Sequence, residues 1–299
     1  MAFSMEDNAV EAMTFIVSVT VVFVVGIIVH VFVIVGNIVA WMKGRPQAST
    51  DQIITSLEIS RVIFLLTCMF DGASRLLLKK ALVITILFHF VRITSNYSCV
   101  WFLALLSVVF CLKISNFHNV FFQCLRSIIS TRVIHLIVGS VLISASQASL
   151  NVWITHLEFS NNYTLDFTLD ITRPKVQWFL LWNTMPFLIY LLAAVPLIAY
   201  LSFHARRMKR EAKMTHLDSY YKAIGFTTIS FFSCAIHISI NVNPAYYSSS
   251  FIYVILNFLP ILHSIFLILA MNKLKNQFSW ILQQVTKCCS VNRASGTSF

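Results

Sequence analysis

The sequence predicts an all-α membrane protein, a seven-transmembrane helix bundle with a short amphipathic C-terminal helix. Of the 299 residues, 58% are hydrophobic and only 11% are charged, whereas an ordinary soluble domain has about 25% charged residues. The hydrophobic residues are gathered in long runs, and a helix needs about 20 apolar residues to cross a hydrocarbon core of about 30 Å. Together these observations exclude a soluble enzyme.

Seven apolar runs predict seven spans. They are residues 12–41, 53–78, 81–117, 133–153, 178–203, 223–242 and 251–271. The second and third spans are interrupted by ionisable residues, whereas the other five contain no Asp, Glu, Lys or Arg. We therefore interpret residues 1–299 as one domain with its helix bundle over residues 12–271.

The distribution of charge predicts the orientation. Residues 1–11 contain three acidic residues and no Lys or Arg, so we expect this segment to be extracellular. With this orientation, most of the Lys and Arg lie on the cytoplasmic side, in the first, third and fifth loops and the tail. This agrees with the rule that cytoplasmic loops of membrane proteins carry an excess of Lys and Arg. Asn162 begins an Asn-Tyr-Thr glycosylation acceptor in a loop that this orientation places outside. The prediction is a multi-pass plasma membrane protein with an extracellular N-terminus and a cytoplasmic C-terminus.

The net charge of +11 raises the question of nucleic-acid binding. The Lys and Arg lie in short stretches between apolar runs and form no single basic face. We therefore predict contact with membrane lipids and none with nucleic acid.

The C-terminal region, residues 272–299, is predicted to form a cytoplasmic surface helix and tail. Leu274, Phe278 and Val285 recur at helical spacing over residues 273–285, and such a helix lies on the inner membrane surface. Cys288 and Cys289 follow directly, where either lipidation or two reduced, inert thiols fit the pattern.

Several motifs decide among seven-span proteins. The third span ends without Asp-Arg-Tyr, and the seventh lacks Asn-Pro-x-x-Tyr, so the rhodopsin-like markers are missing. Residues 57–61 read LEISR, residues 112–117 read LKISNF, and residues 260–275 contain Pro, His-Ser, Leu-Ile and Asn-Lys-Leu-Lys at fixed spacing. With these motifs the chain resembles the type 2, or bitter, taste receptors, which are G-protein-coupled receptors. Vomeronasal type 1 pheromone receptors fit the last segment less well and are the alternative.

The resemblance implies small, largely apolar bitter or toxic agonists that enter from outside, and a heterotrimeric G protein, gustducin or Gi-like, as the partner. It implies no enzyme activity, catalytic residue, cofactor or metal site. A small membrane transporter is a more remote alternative, because transporters also place charges inside bundles, but the sequence has no internal repeat and no pair of Gly- or Pro-broken spans.

Arg92 is the leading candidate for ligand binding, because an ionisable residue within a span is costly and faces the bundle or water. It either contacts an acidic or carbonyl-bearing ligand or pairs with Asp71. Asp71 is itself a candidate residue of the ligand site, because a ligand would compete with it for Arg92 if both interactions occur. The resemblance adds four further candidate ligand contacts, each of which has interhelical packing or hydrogen bonding as its alternative. They are Asn96, His237, Asn241 and Tyr253.

A second set of polar residues lies too deep for a ligand entering from outside. We expect a polar network across the first, second and seventh spans, formed by Asn37, Arg61, His263 and Ser264. Glu58 replaces the small residue that is usual in the family and stands three residues from Arg61, where the two charges can partly neutralise each other.

The basic residues at the predicted cytoplasmic ends of the third and fifth spans are candidates for contact with the G protein or with anionic lipid headgroups. They are Lys113, His204, Arg206 and Arg207.

Overall fold

The computed structural model describes most of the chain as helix. The described residues are 2–44, 48–77, 82–114, 120–160, 174–210, 217–242, 250–271, 274–279 and 283. They form α1 (Ala2–Met42), α2 (Ser49–Leu77), α3 (Leu82–Ile114), α4 (Val120–Ser160), α5 (Pro174–Arg210), α6 (Leu217–Val242) and α7 (Ser250–Ala270). The predicted fold class, an all-α membrane helix bundle, is confirmed. Asn162, Cys288 and Cys289 lie outside the described residues.

Five of these helices are long and apolar enough to cross a membrane, and the described parts of α6 and α7 contain the shorter apolar stretches Tyr221–Ile236 and Asn257–Ala270. The main difference from the predicted spans is α4, which begins at Val120 instead of residue 133. Its backbone is helical on both sides of Arg132, where φ is −116° and ψ is 21°, so the helix is kinked there. Polar and basic residues such as Arg126 keep the first part of α4 from being read as a span, although they do not prevent helix formation.

The helices pack as a bundle in which α3 is the most central helix. Each of α1 to α7 contacts its neighbours along the chain, α7 closes the ring against α1, and α3 contacts α2, α4, α5 and α6. The buried core follows this arrangement, since Phe102 and Leu106 of α3 pack with Ile54 and Leu57 of α2 and with Leu267 of α7. The central helix therefore touches most of the helices that carry candidate functional residues.

Residues 274–279 form a helical turn and a half that packs against the end of α1. Leu274 is fully buried, the Phe278 ring meets the edge of Phe32 with centroids 5.7 Å apart, and the Gln277 amide donates to the Gly36 carbonyl at 3.3 Å. A Cβ at Gly36 would lie only 2.5 Å from Gln277 Oε1. The buried side of this segment therefore faces α1 and the bundle core, and Phe278 remains partly exposed.

Candidate functional site

A buried ion pair lies in the middle of α2. Arg61 donates from one terminal nitrogen to Glu58 Oε1 at 2.9 Å, one helical turn away. Both side chains are almost completely enclosed, with 4% of Arg61 and none of Glu58 exposed. Two opposite charges inside an apolar bundle are tolerable only when they neutralise each other and their remaining atoms are hydrogen-bonded.

Two other helices supply further hydrogen bonds to this pair, although Arg61 Nε is buried and has no hydrogen-bond partner among the described residues. His30 of α1 lies with Nδ1 2.5 Å from Glu58 Oε2, and because a carboxylate only accepts, the imidazole donates. The Ser264 hydroxyl of α7 accepts from Arg61 at 2.7 Å and lies 2.9 Å from both carboxylate oxygens. We call His30, Glu58, Arg61 and Ser264 the buried ionic cluster. It ties α1, α2 and α7 together through charge-assisted bonds, which are stronger than neutral ones.

The other two residues of the predicted network have different surroundings. Asn37, two turns further along α1, donates its amide to the Thr55 hydroxyl of α2 at 3.2 Å. His263 is fully buried and packs on the Phe226 ring of α6, with centroids 4.9 Å apart. Within the described part of the chain neither ring nitrogen of His263 has a hydrogen-bond partner. The structure thus brings Arg61 and Ser264 together and turns His263 toward α6.

Sequence reasoning missed His30. Its signal was available, because an ionisable side chain stands alone in an otherwise apolar run. Its partner was not evident, since Glu58 lies on another helix and no local spacing relates the two. Among the described residues no three His, Cys, Asp or Glu side chains lie close enough to bind a metal ion.

A second polar site lies near the amino-terminal end of α3. The Arg92 guanidinium contacts His89 Nδ1 at 2.9 Å, and Asn96 lies one turn further along the helix, half-buried. The Nε of Arg92 is buried and has no hydrogen-bond partner among the described residues. Lys113 is at the opposite end of the same helix, about 30 Å away at 1.5 Å per residue.

The environment of this site is partly described. One turn before Arg92, the Phe88 ring of α3 stacks on Phe70 of α2, with centroids 4.7 Å apart and ring planes within 7°. Asp71 follows Phe70 in α2, so its backbone belongs to the same level of the bundle. The structure describes the helical backbone of Asp71, His237, Asn241 and Tyr253 but not their side chains. The pairing of Arg92 with Asp71 and the ligand contacts of the other three residues stay predictions.

The basic residues predicted to face a G protein lie at the other end of the bundle. Lys113, Arg206 and Arg207 are exposed, and the half-buried His204 lies beside the Tyr200 ring. Leu197 and Leu201 of α5 pack near the end of α3 in one apolar cluster, and Ala223, near the start of α6, packs against the same cluster. The ends of α3, α5 and α6 therefore lie close together. We call this face, defined by Lys113, Arg206 and Arg207, the basic end.

Comparisons with known proteins identify the family by sequence. The sequence model of the taste receptor protein (TAS2R) family matches residues 5–286. The chain is 26% identical to taste receptor type 2 member 64 of Pan paniscus over 292 residues, which are 91% of this chain and 94% of that protein. It is 28% identical to taste receptor type 2 member 125 of Rattus norvegicus over 85% of this chain and 88% of the relative, and 28% identical to human taste receptor type 2 member 4 over 63% and 66%. A seven-helix bundle with these motifs, matched over nearly its whole length, belongs to the type 2 taste receptor family, the bitter taste receptors.

Proposed function

We propose that this receptor binds small, largely apolar bitter compounds at Arg92 and Asn96 and activates a heterotrimeric G protein, gustducin or Gi-like, at the basic end. One observation carries the proposal: two features occupy opposite ends of α3, about 30 Å apart. One is a polar site with an arginine whose Nε has no hydrogen-bond partner among the described residues, and the other is an exposed basic face. Asn241 and Tyr253, with His237, complete the proposed ligand site from α6 and α7.

The mechanism is a shift of population. An agonist that binds one arrangement of the helices more tightly than another raises the population of that arrangement. Any catalysed reaction is carried out by the G protein, and the receptor contributes only the difference in its affinity for the agonist between the two arrangements. The buried ionic cluster lies between the two sites and holds α1, α2 and α7 in register while the other helices rearrange.

The proposed orientation has the N-terminus outside and the tail in the cytoplasm, with the receptor in the plasma membrane. The basic end and the Asn162 acceptor both favour it. Cys288 and Cys289 are proposed sites of lipidation, which would hold the tail at the membrane beside the segment that packs on α1. Arg206 and Arg207 are then also within reach of anionic lipid headgroups.

The orientation is tested with an epitope tag at Met1. In intact cells the tag is expected to bind antibody without detergent, and Asn162→Gln is expected to remove a glycan detectable as a mobility shift. A tag that becomes accessible only after permeabilisation would contradict the proposed topology and, with it, the entry of ligands near Arg92.

The ligand site is tested by Arg92→Ala. Because the guanidinium is expected to contact agonists directly, we expect potency to change by more than about tenfold, or 1.4 kcal/mol, for at least one compound. The measurement is calcium imaging of cells that express the receptor with a chimeric G protein, challenged with a panel of bitter compounds. Surface delivery, followed with the same tag, is expected to remain near normal. Unchanged dose–response curves for all agonists would remove Arg92 from the site.

A further inference from the structure

We propose that His89 holds Arg92 as an uncompensated cation and that the receptor therefore selects ligands carrying a carboxylate or a similar anionic group. This inference rests on the proposed function, since it assigns a ligand class to the same site on α3.

The contact between the two side chains fixes the role of His89. The guanidinium nitrogen of Arg92 lies 2.9 Å from His89 Nδ1, one helical turn earlier. A guanidinium has only donors, so Nδ1 accepts and the ring proton is on Nε2. In this contact the imidazole is uncharged. His89 therefore orients the guanidinium without cancelling its charge.

Arg61 and Arg92, which both lie within predicted spans, have different partners. Arg61 is paired with the Glu58 carboxylate at 2.9 Å. Among the side chains that the structure describes, which do not include that of Asp71, the ion pairs converge on Glu58, from His30 and Arg61, and none reaches Arg92. Arg92 is half-buried, so water screens its charge less than it would on an open surface.

The donor atoms of Arg92 indicate the geometry of the missing partner. Nε is buried and has no acceptor in the described structure. Among the described residues, the guanidinium donates a hydrogen bond only to His89. A carboxylate can accept from Nε and a terminal nitrogen together, which is the paired geometry that arginine favours. A neutral carbonyl accepts without supplying the opposite charge. An anionic ligand therefore gains more at this site than its neutral counterpart.

The test uses matched ligands and matched variants. The probes are a set of arylcarboxylic acids and the corresponding primary amides, applied to cells expressing the full-length receptor with a chimeric G protein. In the unaltered receptor at least one acid is expected to be about tenfold more potent than its amide. His89→Asp supplies a carboxylate one turn from Arg92 and is expected to abolish this preference. His89→Asn introduces a side chain of nearly the same shape as His89→Asp does, but with an uncharged acceptor. This variant is therefore expected to keep the preference for the acid.

Each outcome decides the inference. If His89→Asp retains the acid preference, or if the acids are no more potent than the amides while neutral bitter compounds activate the receptor, the inference is wrong and the proposed function stands. If no bitter compound activates a receptor that reaches the surface, the proposed function itself fails. Asp71→Asn provides a further check: a rise of about tenfold in acid potency would mean that Asp71 already neutralises Arg92, which would overturn the uncompensated cation.

Discussion

Replacing Arg61 with Ala is expected to abolish surface delivery and signalling together, without selectively changing the affinity for any agonist. The substitution leaves Glu58 fully buried with His30 and Ser264 as its remaining partners. Breaking a buried ion pair by removing one partner costs about 3–5 kcal/mol, a large part of the 5–15 kcal/mol that typically stabilises a native protein. The measurements are antibody binding to a surface tag and agonist-evoked calcium in the same cells.

The control removes both charges. The double variant Glu58→Ala with Arg61→Ala removes both charges of this buried pair, so neither is left without its partner, and it is expected to recover part of the surface delivery that Arg61→Ala loses. Recovery would assign the defect to the uncompensated carboxylate. An Arg61→Ala receptor that signals normally but responds to a different set of compounds would instead place Arg61 in the ligand site and contradict its structural role.

Gly36→Val is expected to displace the C-terminal segment from α1. A Cβ at this position already lies 2.5 Å from Gln277 Oε1 and 3.2 Å from Leu274 Cδ2, and valine adds two further methyl groups. Overpacking of this kind costs about 1–3 kcal/mol, and the fully buried Leu274 loses packing as well. The expected result is a lower melting temperature of the detergent-purified, full-length receptor.

A matched glycine provides the comparison. Gly139 lies in α4, and a Cβ there would meet no atom of a neighbouring segment within 4 Å in the described part of the chain. Gly139→Val makes the same chemical change at a helix position where the described structure leaves open space, so it is expected to leave the melting temperature nearly unchanged. Equal losses in the two variants would mean that valine disturbs the helices themselves and that the contact with Gln277 is unimportant.

Hydropathy was sufficient to predict the helix bundle because the bilayer imposes a minimum apolar length on every span. It predicted less well where helices continue beyond that length. The kinked beginning of α4 and the end of α5 at Arg210 are helical yet carry basic residues, and an apolar-run criterion stops before them. Leu274 shows a related effect, since a periodic pattern identifies an apolar face without saying whether lipid or protein covers it.

The candidate site divides along the same line. Glu58 and Arg61 are related by helical spacing, and their contact could be predicted from the sequence alone. His30 and Ser264 reach them from other helices, so only the packed bundle reveals that they share one carboxylate. His89 lies three residues before Arg92, and the sequence contained enough information to suggest this contact. The prediction considered only an acidic partner for Arg92, namely Asp71, and therefore missed the imidazole of His89.

The buried ionic cluster also has a consequence for biosynthesis. The Ser264 hydroxyl lies 3.2 Å from His30 Nδ1, although 234 positions of the chain separate the two residues. Since a polypeptide is made from its amino end, α1 and α2 are synthesised well before α7 exists to contribute that hydroxyl. During this interval Arg61 has no serine acceptor, and the nascent protein holds charges in lipid with an incomplete set of partners. Synthesis of α7 therefore completes the set of hydrogen-bond partners of this ion pair, and a chain that ends before Ser264 would leave Arg61 without its serine acceptor.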